Sequence, residues 1–539
     1  MKLRKLSRGG LIAMIIAIVV AITATQRHHS HQTEAGLQTE SPAVSASASE
    51  SPNGPSLQLT APTGAHAVET LKLGMLTLKS CELKQPDSAV TTAAYCAPFS
   101  VPENRADPHS REIDLKLALI KSDAQVAEQD IVVYLAGGPG ESATQTYPEI
   151  AAALAPLRKH HDILLMDQRG TGGSHPLACP QVQKTMDQNA DLPFDPQRTR
   201  ALIAQCLSEV EKTADPRFYT TTDAVADLEA VRHALGNPKF DLIGISYGTR
   251  MAQQYAGAHS DGVRSIVLDS AVPNQLILGE DFAVNLERAL KLQADACAAE
   301  PACKQAFGDW NGALHALHDK LRAQPVQTSF PDPQTNLPVQ KSLTGDRLAA
   351  VARLFSYTAE TAALLPQTVT QAVKGNYAPL MGQSQLMMSG LDRSMNTGMQ
   401  FSVICAEDAD LLQPRPQDKD TILGGELIDG IEAACSIWPH GTRPKDFHAP
   451  FVSSIPTLIL SGERDPVTPP AYAQEILKGL SDARVLEVKG MGHSVLSRGC
   501  MPKLVDDFVA DLKPKQLDAA CLKRVGAVPA FVTFNGASP

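Results

Sequence analysis

Short, mainly apolar runs with many β-branched residues recur along this chain, and each is followed, directly or after one residue, by a glycine, an aspartate or a serine. The runs are residues 131–135, 163–166, 241–245, 264–268, 457–460 and 484–488. Strands that are apolar along their whole length are buried on both faces, as in a mostly parallel sheet covered by helices. Between two of them, residues 223–235 carry apolar side chains at helical spacing and stop at Gly236, which suits a helix end. This alternation predicts an open α/β sheet with helices on both faces.

The alternation breaks after residue 272 and resumes near residue 456. The residues between have the patterns of helices and loops, which is typical of a block inserted above the ends of a sheet. We therefore expect an α/β core built from residues 69–275 and 451–539, and a mainly helical cap built from residues 276–450. With 539 residues, 43% of them apolar, the chain has ample material for such a core.

The N-terminus predicts export. Basic residues precede an uncharged run from Leu11 to Ala24. This run is shorter than the ~20 apolar residues that cross a bilayer, so residues 1–27 form a signal peptide or, if uncleaved, a membrane anchor. Residues 28–68 are rich in Ser, Ala, Thr and Pro and predict a flexible linker. A histidine cluster at positions 28, 29 and 31 fits a solvated tail better than a metal site.

Ten cysteines follow this segment, an even number that predicts disulfides formed in an oxidising, extracytoplasmic compartment. They are Cys81, Cys96, Cys179, Cys206, Cys297, Cys303, Cys405, Cys435, Cys500 and Cys521. Sequence does not fix their connectivity; we predict that each pairs with its next neighbour, and the alternative is that some are buried thiols. No zinc spacing occurs, and nothing predicts another metal or an organic cofactor. A net charge of −10 argues against nucleic acid as a partner.

Residues 244–248, Gly-Ile-Ser-Tyr-Gly, match the strand–turn–helix motif that exposes a nucleophilic serine. They follow a predicted strand and open a predicted helix, which is the context the motif requires. The flanking glycines remove side chains that would collide in so tight a turn. Ser246 is therefore the candidate nucleophile.

A serine hydroxyl needs a base and an orienting acid, which follow the serine in the order acid, then histidine, in such folds. Asp465 and His493 lie in loops just after two late strands and are the candidates. Asp269 and Glu463 are rival acids, but Asp269 comes one strand too early and we expect it to be structural. Histidines 160, 161, 233 and 259 have polar neighbours and are expected at the surface.

Acyl transfer also needs two backbone N–H groups aimed at the developing oxyanion. One should belong to Tyr247, directly after the nucleophile. The other should come from the Gly-Gly-Pro-Gly turn at residues 137–140, with Gly138 the best candidate because its backbone can approach the substrate closely.

Three segments together resemble the proline iminopeptidase and tripeptidyl aminopeptidase group of α/β-hydrolases. They are residues 137–140 (Gly-Gly-Pro-Gly), 167–174 (Asp-Gln-Arg-Gly-Thr-Gly-Gly-Ser) and 244–249 (Gly-Ile-Ser-Tyr-Gly-Thr). The loops with Asp465 and His493 fit as well. Ala136 and Tyr247 stand where proline iminopeptidases usually have His and Trp, so the chain looks closer to the secreted tripeptidyl aminopeptidase branch.

The resemblance implies an α/β-hydrolase fold and release of short units from peptides with a free N-terminus. Such an enzyme needs a carboxylate for the substrate ammonium, because a buried unpaired charge is costly. Glu407 and Asp408, near the end of the cap, are the candidates, and we expect Glu407 to serve. Membrane contact is expected only through the N-terminal segment.

Two other functions stay open on sequence grounds. The same three residues serve carboxylesterases and lipases, and a binding protein could be built on a degenerate hydrolase fold. A dehalogenase or epoxide hydrolase is disfavoured because serine, not aspartate, occupies the turn.

Overall fold

The computed structural model describes residues 69–85, 88–125, 127–188, 192 and 194–533. The predicted signal or anchor (1–27), the predicted linker up to residue 68 and the histidine cluster at 28–31 lie outside the described residues.

One large sheet of the described chain has the strand order β1-β2-β3-β4-β6-β5-β7-β8-β11-β12. Its strands are β1 (Thr70–Leu73), β2 (Leu76–Lys84), β3 (Thr91–Pro102), β4 (Glu112–Ile120), β5 (Ile131–Leu135), β6 (Asp162–Met166), β7 (Phe240–Ile245), β8 (Val263–Asp269), β11 (Thr457–Gly462) and β12 (Ala483–Val488). Strands β9 (Val326–Pro331) and β10 (Pro338–Leu343) form a separate antiparallel hairpin.

Helices cover this sheet and fill the connection between β8 and β11. They are α1 (Ala143–Arg158), α2 (Pro180–Gln188), α3 (Pro196–Val210), α4 (Thr221–Ala234), α5 (Tyr247–Ala258), α6 (Phe282–Ala299), α7 (Pro301–Phe307), α8 (Trp310–Ala323), α9 (Gly345–Phe355), α10 (Ala359–Ala362), α11 (Leu365–Val373), α12 (Ala378–Ser394), α13 (Thr397–Glu407), α14 (Glu426–Cys435), α15 (Pro470–Leu477) and α16 (Met501–Asp511). No described helix combines the length and the apolar character that crossing a membrane requires.

The apolar runs predicted as strands are the central parallel strands. Every residue of β5, β6 and β7 is buried, as expected for strands with helices on both faces. Neighbours β6-β5-β7-β8-β11-β12 all run parallel, which confirms the predicted mostly parallel sheet.

The N-terminal part differs from the expected strand–helix alternation. Strands β1 to β4 pair antiparallel with one another, and β4 pairs antiparallel with β6. Antiparallel neighbours need no helical crossover, and they tolerate one solvated face. The alternating exposure at the start of β4 fits this arrangement.

In the described chain, nine α-helices and the hairpin β9–β10 lie between β8 and β11, two strands that are parallel neighbours in the sheet. We call residues 282–435 the insertion. The insertion is mainly helical, as predicted, whereas its hairpin was not predicted. The domain boundaries at residues 275 and 450 stay predictions.

All ten cysteines are paired, and each is joined to its next neighbour as predicted. The bonds are Cys81–Cys96, Cys179–Cys206, Cys297–Cys303, Cys405–Cys435 and Cys500–Cys521. Among the described residues no cysteine is free. Five disulfides fit a protein that folds in an extracytoplasmic, oxidising compartment.

Candidate active site

Four loops carry the sequence-predicted residues to one edge of the sheet. Gly138 follows β5, Ser246 follows β7, Asp465 follows β11, and His493 follows β12. These strands are parallel, so their carboxyl ends share an edge. In open α/β sheets ligands bind beside that edge.

Ser246 lies at the sharp turn between β7 and α5, with φ 56° and ψ −123°. This is a strained conformation for a residue with a side chain, and it places Ser246, which is only 3% exposed, at the end of the strand rather than within the helix. A Cβ on Gly244 would lie 2.5 Å from the carbonyl oxygen of Gly248, and one on Gly248 would lie 2.2 Å from that of Leu135. The turn therefore requires glycine at both flanking positions.

Asp465 and His493 are brought together as predicted. Nδ1 of His493 lies 2.9 Å from Oδ2 and 3.1 Å from Oδ1 of the carboxylate. Backbone N–H groups of Val467 and Thr468 and the hydroxyls of Ser270 and Thr468 also donate to this carboxylate. It is thus held rigidly under the imidazole.

The same contacts set the protonation of the pair. Burial opposes charge on Asp465, but the imidazole and the donated hydrogen bonds hold its pKa below the ordinary value. Burial also opposes charge on His493, yet the neighbouring carboxylate raises the pKa of the imidazole above its ordinary value. An ionised acid beneath a histidine able to take a proton is the arrangement that activates a serine.

Ser246 is not hydrogen-bonded to His493 in this structure. The Nε2 atom of His493 is buried and has no partner among the described residues. Ser246 and the histidine loop both attach to the end of β8, since the N–H of Ser246 and the hydroxyl of Ser494 each donate to Asp269. Unligated sites often have loose catalytic hydrogen bonds that tighten with substrate. The catalytic roles of Ser246, Asp465 and His493 stay predictions.

Two backbone N–H groups at the site are available to an oxyanion. Tyr247 is the first residue of α5, where N–H groups have no acceptor within the helix. Gly138 has φ 110° and precedes a cis peptide bond to Pro139, and its N–H donates to no described group. The N–H of Gly137 is engaged, which favours Gly138 as the second donor.

The acceptor of the Gly137 N–H is Glu141, a site residue that was not predicted from the sequence. Its Oε2 accepts the N–H of Gly137 at 3.0 Å, and a Cβ added to Gly137 would contact both Glu141 and Ser246. Burial raises the pKa of Glu141 to about 7, although the Gly137 hydrogen bond and the charge of His493 oppose the rise. An acid directly after the Gly-Gly-Pro-Gly turn was a signal that could have revealed it.

Residues 167–174 form hydrogen bonds with the residues that follow the Gly-Gly-Pro-Gly turn. The buried carboxylate of Asp167 accepts from the hydroxyl of Ser142 and from the N–H and hydroxyl of Thr144, at the start of α1. Gln168 donates to the hydroxyl of Tyr247. The segment thereby ties the turn after β5 to the helix after Ser246.

Glu407 ends α13 and is completely buried. It accepts from the N–H and hydroxyl of Thr221, and that hydroxyl lies 2.6 Å from the hydroxyl of Tyr247. Burial and the charge of Asp408 raise the pKa of Glu407 to about 8. Both oxygens of Asp408 contact basic groups, namely Arg250 and His448. Of the two candidate amine-binding acids, Glu407 is therefore the one that forms no ion pair with a described residue.

The rival acids have structural contacts. Asp269 accepts from Ser494, Val495 and Leu496 and so holds the loop after His493. Glu463 accepts the N–H of Gly490.

The expectation that His161 lies at the surface is wrong. It is buried, and its Nδ1 lies 3.1 Å from Asp130. Asp130, His161 and Asp241 stand close enough to hold a metal ion. However, the guanidinium of Arg264 already contacts both carboxylates at 2.7 Å, so a cation of the chain itself neutralises this group.

We predict that Arg250→Met lowers the free energy of unfolding by about 3–5 kcal/mol, because it leaves the buried carboxylate of Asp408 without its strongest partner. Arg250 and Asp408 are both fully buried and 2.8 Å apart. Chemical denaturation measures the change, and Arg158→Met, at an exposed ion pair, is the control. Equal stability of both variants would contradict the prediction.

Comparisons with known proteins agree with this architecture. A putative hydrolase, YuaR, of Escherichia coli is 25% identical over 75% of this chain and 83% of its own length. Serine protease Hip1 of Mycobacterium tuberculosis is 24% identical over 80% of this chain and 86% of its own. A tripeptidyl aminopeptidase of Streptomyces lividans is 29% identical over 79% and 83%.

The family model of the α/β-hydrolase fold matches residues 130–498, more than half of the chain, from just before β5 to just after the loop of His493. The matched range includes every candidate catalytic residue and the whole insertion. The chain therefore belongs to the α/β-hydrolase family.

Proposed function

We propose that this protein is an extracytoplasmic serine aminopeptidase, which releases short units from peptides with a free N-terminus through an acyl-enzyme on Ser246. The observation that carries the proposal is the buried His493–Asp465 pair at the same sheet edge as the strained serine turn; Nε2 of His493 has no partner among the residues that the structure describes. Relatives named serine protease and tripeptidyl aminopeptidase support peptide as the substrate.

Each residue has a distinct role in the proposed reaction. His493 takes the proton of the Ser246 hydroxyl as the oxygen attacks the peptide carbonyl, and later gives it to the leaving amine. Asp465 keeps the proton-bearing Nδ1 turned toward itself and stabilises the imidazolium. The N–H groups of Gly138 and Tyr247 stabilise the oxyanion. Water then releases the acyl group by the same steps.

Glu407 is the proposed partner of the substrate ammonium. Two hydrogen bonds through Thr221 connect it to Tyr247, directly after the nucleophile. A carboxyl with a pKa raised to about 8 by burial gains from an entering cation, which restores its ionised form. Disulfides and the predicted export signal support a secreted or periplasmic location.

We predict that kcat/KM rises with pH through a group whose pKa lies above the ordinary histidine value of about 6.5. A general base must be neutral, and Asp465 raises the pKa of His493, so activity is lost as pH falls through this raised value. The pH profile of kcat/KM is measured with a neutral p-nitrophenyl ester, so that no substrate ammonium titrates in the same range.

The pH profile of Glu141→Gln distinguishes His493 from Glu141 as the group that titrates, because burial raises the pKa of Glu141 to about 7. The rise of kcat/KM with pH should persist in this variant. An apparent pKa at or below about 6.5, or a rise that disappears in Glu141→Gln, would contradict the assignment to His493.

We predict that peptides with a free N-terminus are cleaved and their acetylated counterparts are not. In Glu407→Gln, KM for the free peptides should rise by about 10- to 100-fold with a smaller change in kcat, because an interaction between charged groups is lost. Peptide-library digestion followed by steady-state kinetics measures both effects.

Glu432→Gln, at an exposed acid on α14, is the matched control and should leave KM unchanged. Glu141→Gln in the same assay shows whether that acid contributes to amine binding. Equal cleavage of acetylated and free peptides would refute the aminopeptidase assignment, and efficient cleavage of esters alone would favour a carboxylesterase.

A further inference from the structure

Arg353, on α9 of the insertion, is a buried cation that forms no ion pair with any described residue. Only 1% of its surface is exposed, and its Nε and Nη1 atoms make no hydrogen bond with any described group. The one hydrogen bond that its side chain makes within the described part of the chain is long, from Nη2 to the hydroxyl of Tyr357 at 3.4 Å. Two other fully buried arginines differ in this respect, since Arg169 pairs with Asp227 and Arg250 pairs with Asp408.

Aromatic rings flank the guanidinium of Arg353. Its Cζ lies 4.5 Å from the ring centroid of Phe282 and 5.8 Å from that of Tyr357. Cation–π contacts of this kind contribute to holding the side chain. They do not satisfy the two unpaired N–H-bearing atoms, and an isolated charge away from water is costly. A fork of free donors in such a place matches the two oxygens of a carboxylate.

The position of Arg353 relates it to the candidate active site. The ring of Tyr357 packs edge-on against the imidazole of His493, with centroids 5.1 Å apart, and the Tyr357 carbonyl accepts the N–H of His493 at 2.7 Å. One aromatic side chain therefore separates the guanidinium from the proposed base. His493 is itself only 4% exposed, and Tyr357, four residues after Arg353 in the insertion, covers one face of its ring.

We propose that Arg353 binds a carboxylate of the leaving portion of the peptide substrate, which makes short peptides with a nearby carboxylate the preferred substrates. This inference rests on the proposed function. The base delivers its proton to the leaving amine, so the leaving peptide lies on the histidine side of the serine, where Arg353 is. The carboxylate can be the free C-terminus of a short peptide or the side chain of Asp or Glu.

Matched substrates distinguish these two sources. Peptides of two to six residues are compared as free acids, as C-terminal amides, and as amides with Asp in the leaving portion. We expect the free acids of short peptides to have a kcat/KM about 10- to 100-fold above that of the amides, through KM. If Asp in the leaving portion raises kcat/KM of the amide to that of the free acid, a side-chain carboxylate binds Arg353 as well as a C-terminal one does.

Arg353→Met should abolish the difference between acid and amide, and Arg353→Lys should keep part of it. Arg158→Met, which removes an exposed arginine, should keep all of it. A merely structural arginine would lower kcat/KM equally for acids and amides. That result, or the absence of any preference in the wild type, would overturn the proposal.

Two further readouts separate this proposal from the proposed function. Removal of an unpaired buried cation should leave the melting temperature of Arg353→Met equal to or above that of the wild type. In Ser246→Ala, calorimetric titration should show a peptide acid binding about 10- to 100-fold tighter than its amide, with the difference lost in Ser246→Ala/Arg353→Met. Equal binding of acid and amide overturns the carboxylate site even if peptides are cleaved. If the acid binds more tightly than the amide but no peptide is cleaved, only the proposed peptidase activity is overturned.

Discussion

The parallel pairing of β5, β7, β8, β11 and β12 is the constraint on which the site depends. Parallel neighbours end at the same edge of a sheet, so residues as far apart in the chain as Gly138 and His493 meet there. Three of these strands, β5, β7 and β11, are buried along their whole length, so a shift in their register would move apolar side chains out of the core. Loops that leave a rigid edge can hold strained or charged groups that an isolated segment could not.

Hydrogen bonds to buried carboxylates turn this edge into a defined site. Asp465 is fixed by Ser270 and Thr468 beneath the imidazole, Asp269 fixes the following loop, and Asp167 fixes the glycine turn. Each of these acids is satisfied by several donors, which offsets its desolvation. Glu141 and Glu407 have fewer partners, and their raised pKa values make them the acids most responsive to a ligand.

The parts of the site that local sequence determines could be predicted. The strand that ends at Ser246, the loops of Asp465 and His493 and the glycine turn all have short-range signals, and nearest-neighbour pairing sufficed for the disulfides. Contacts made by the insertion could not be predicted, because they arise only from tertiary packing: Tyr357 packs against His493, and Arg353 contacts Tyr357. Antiparallel pairing of β1 to β4 and the burial of His161 likewise depend on long-range neighbours.

The proposed reaction requires Ser246 to be an activated nucleophile. Reaction with a fluorophosphonate, followed by mass spectrometry of the digested protein, tests it most directly. We expect one adduct per folded chain, on Ser246, no adduct in Ser246→Ala or in the unfolded protein, and at least about 100-fold slower labelling in His493→Gln. A folded wild-type protein that stays unlabelled, or one that is labelled at another residue, would contradict it.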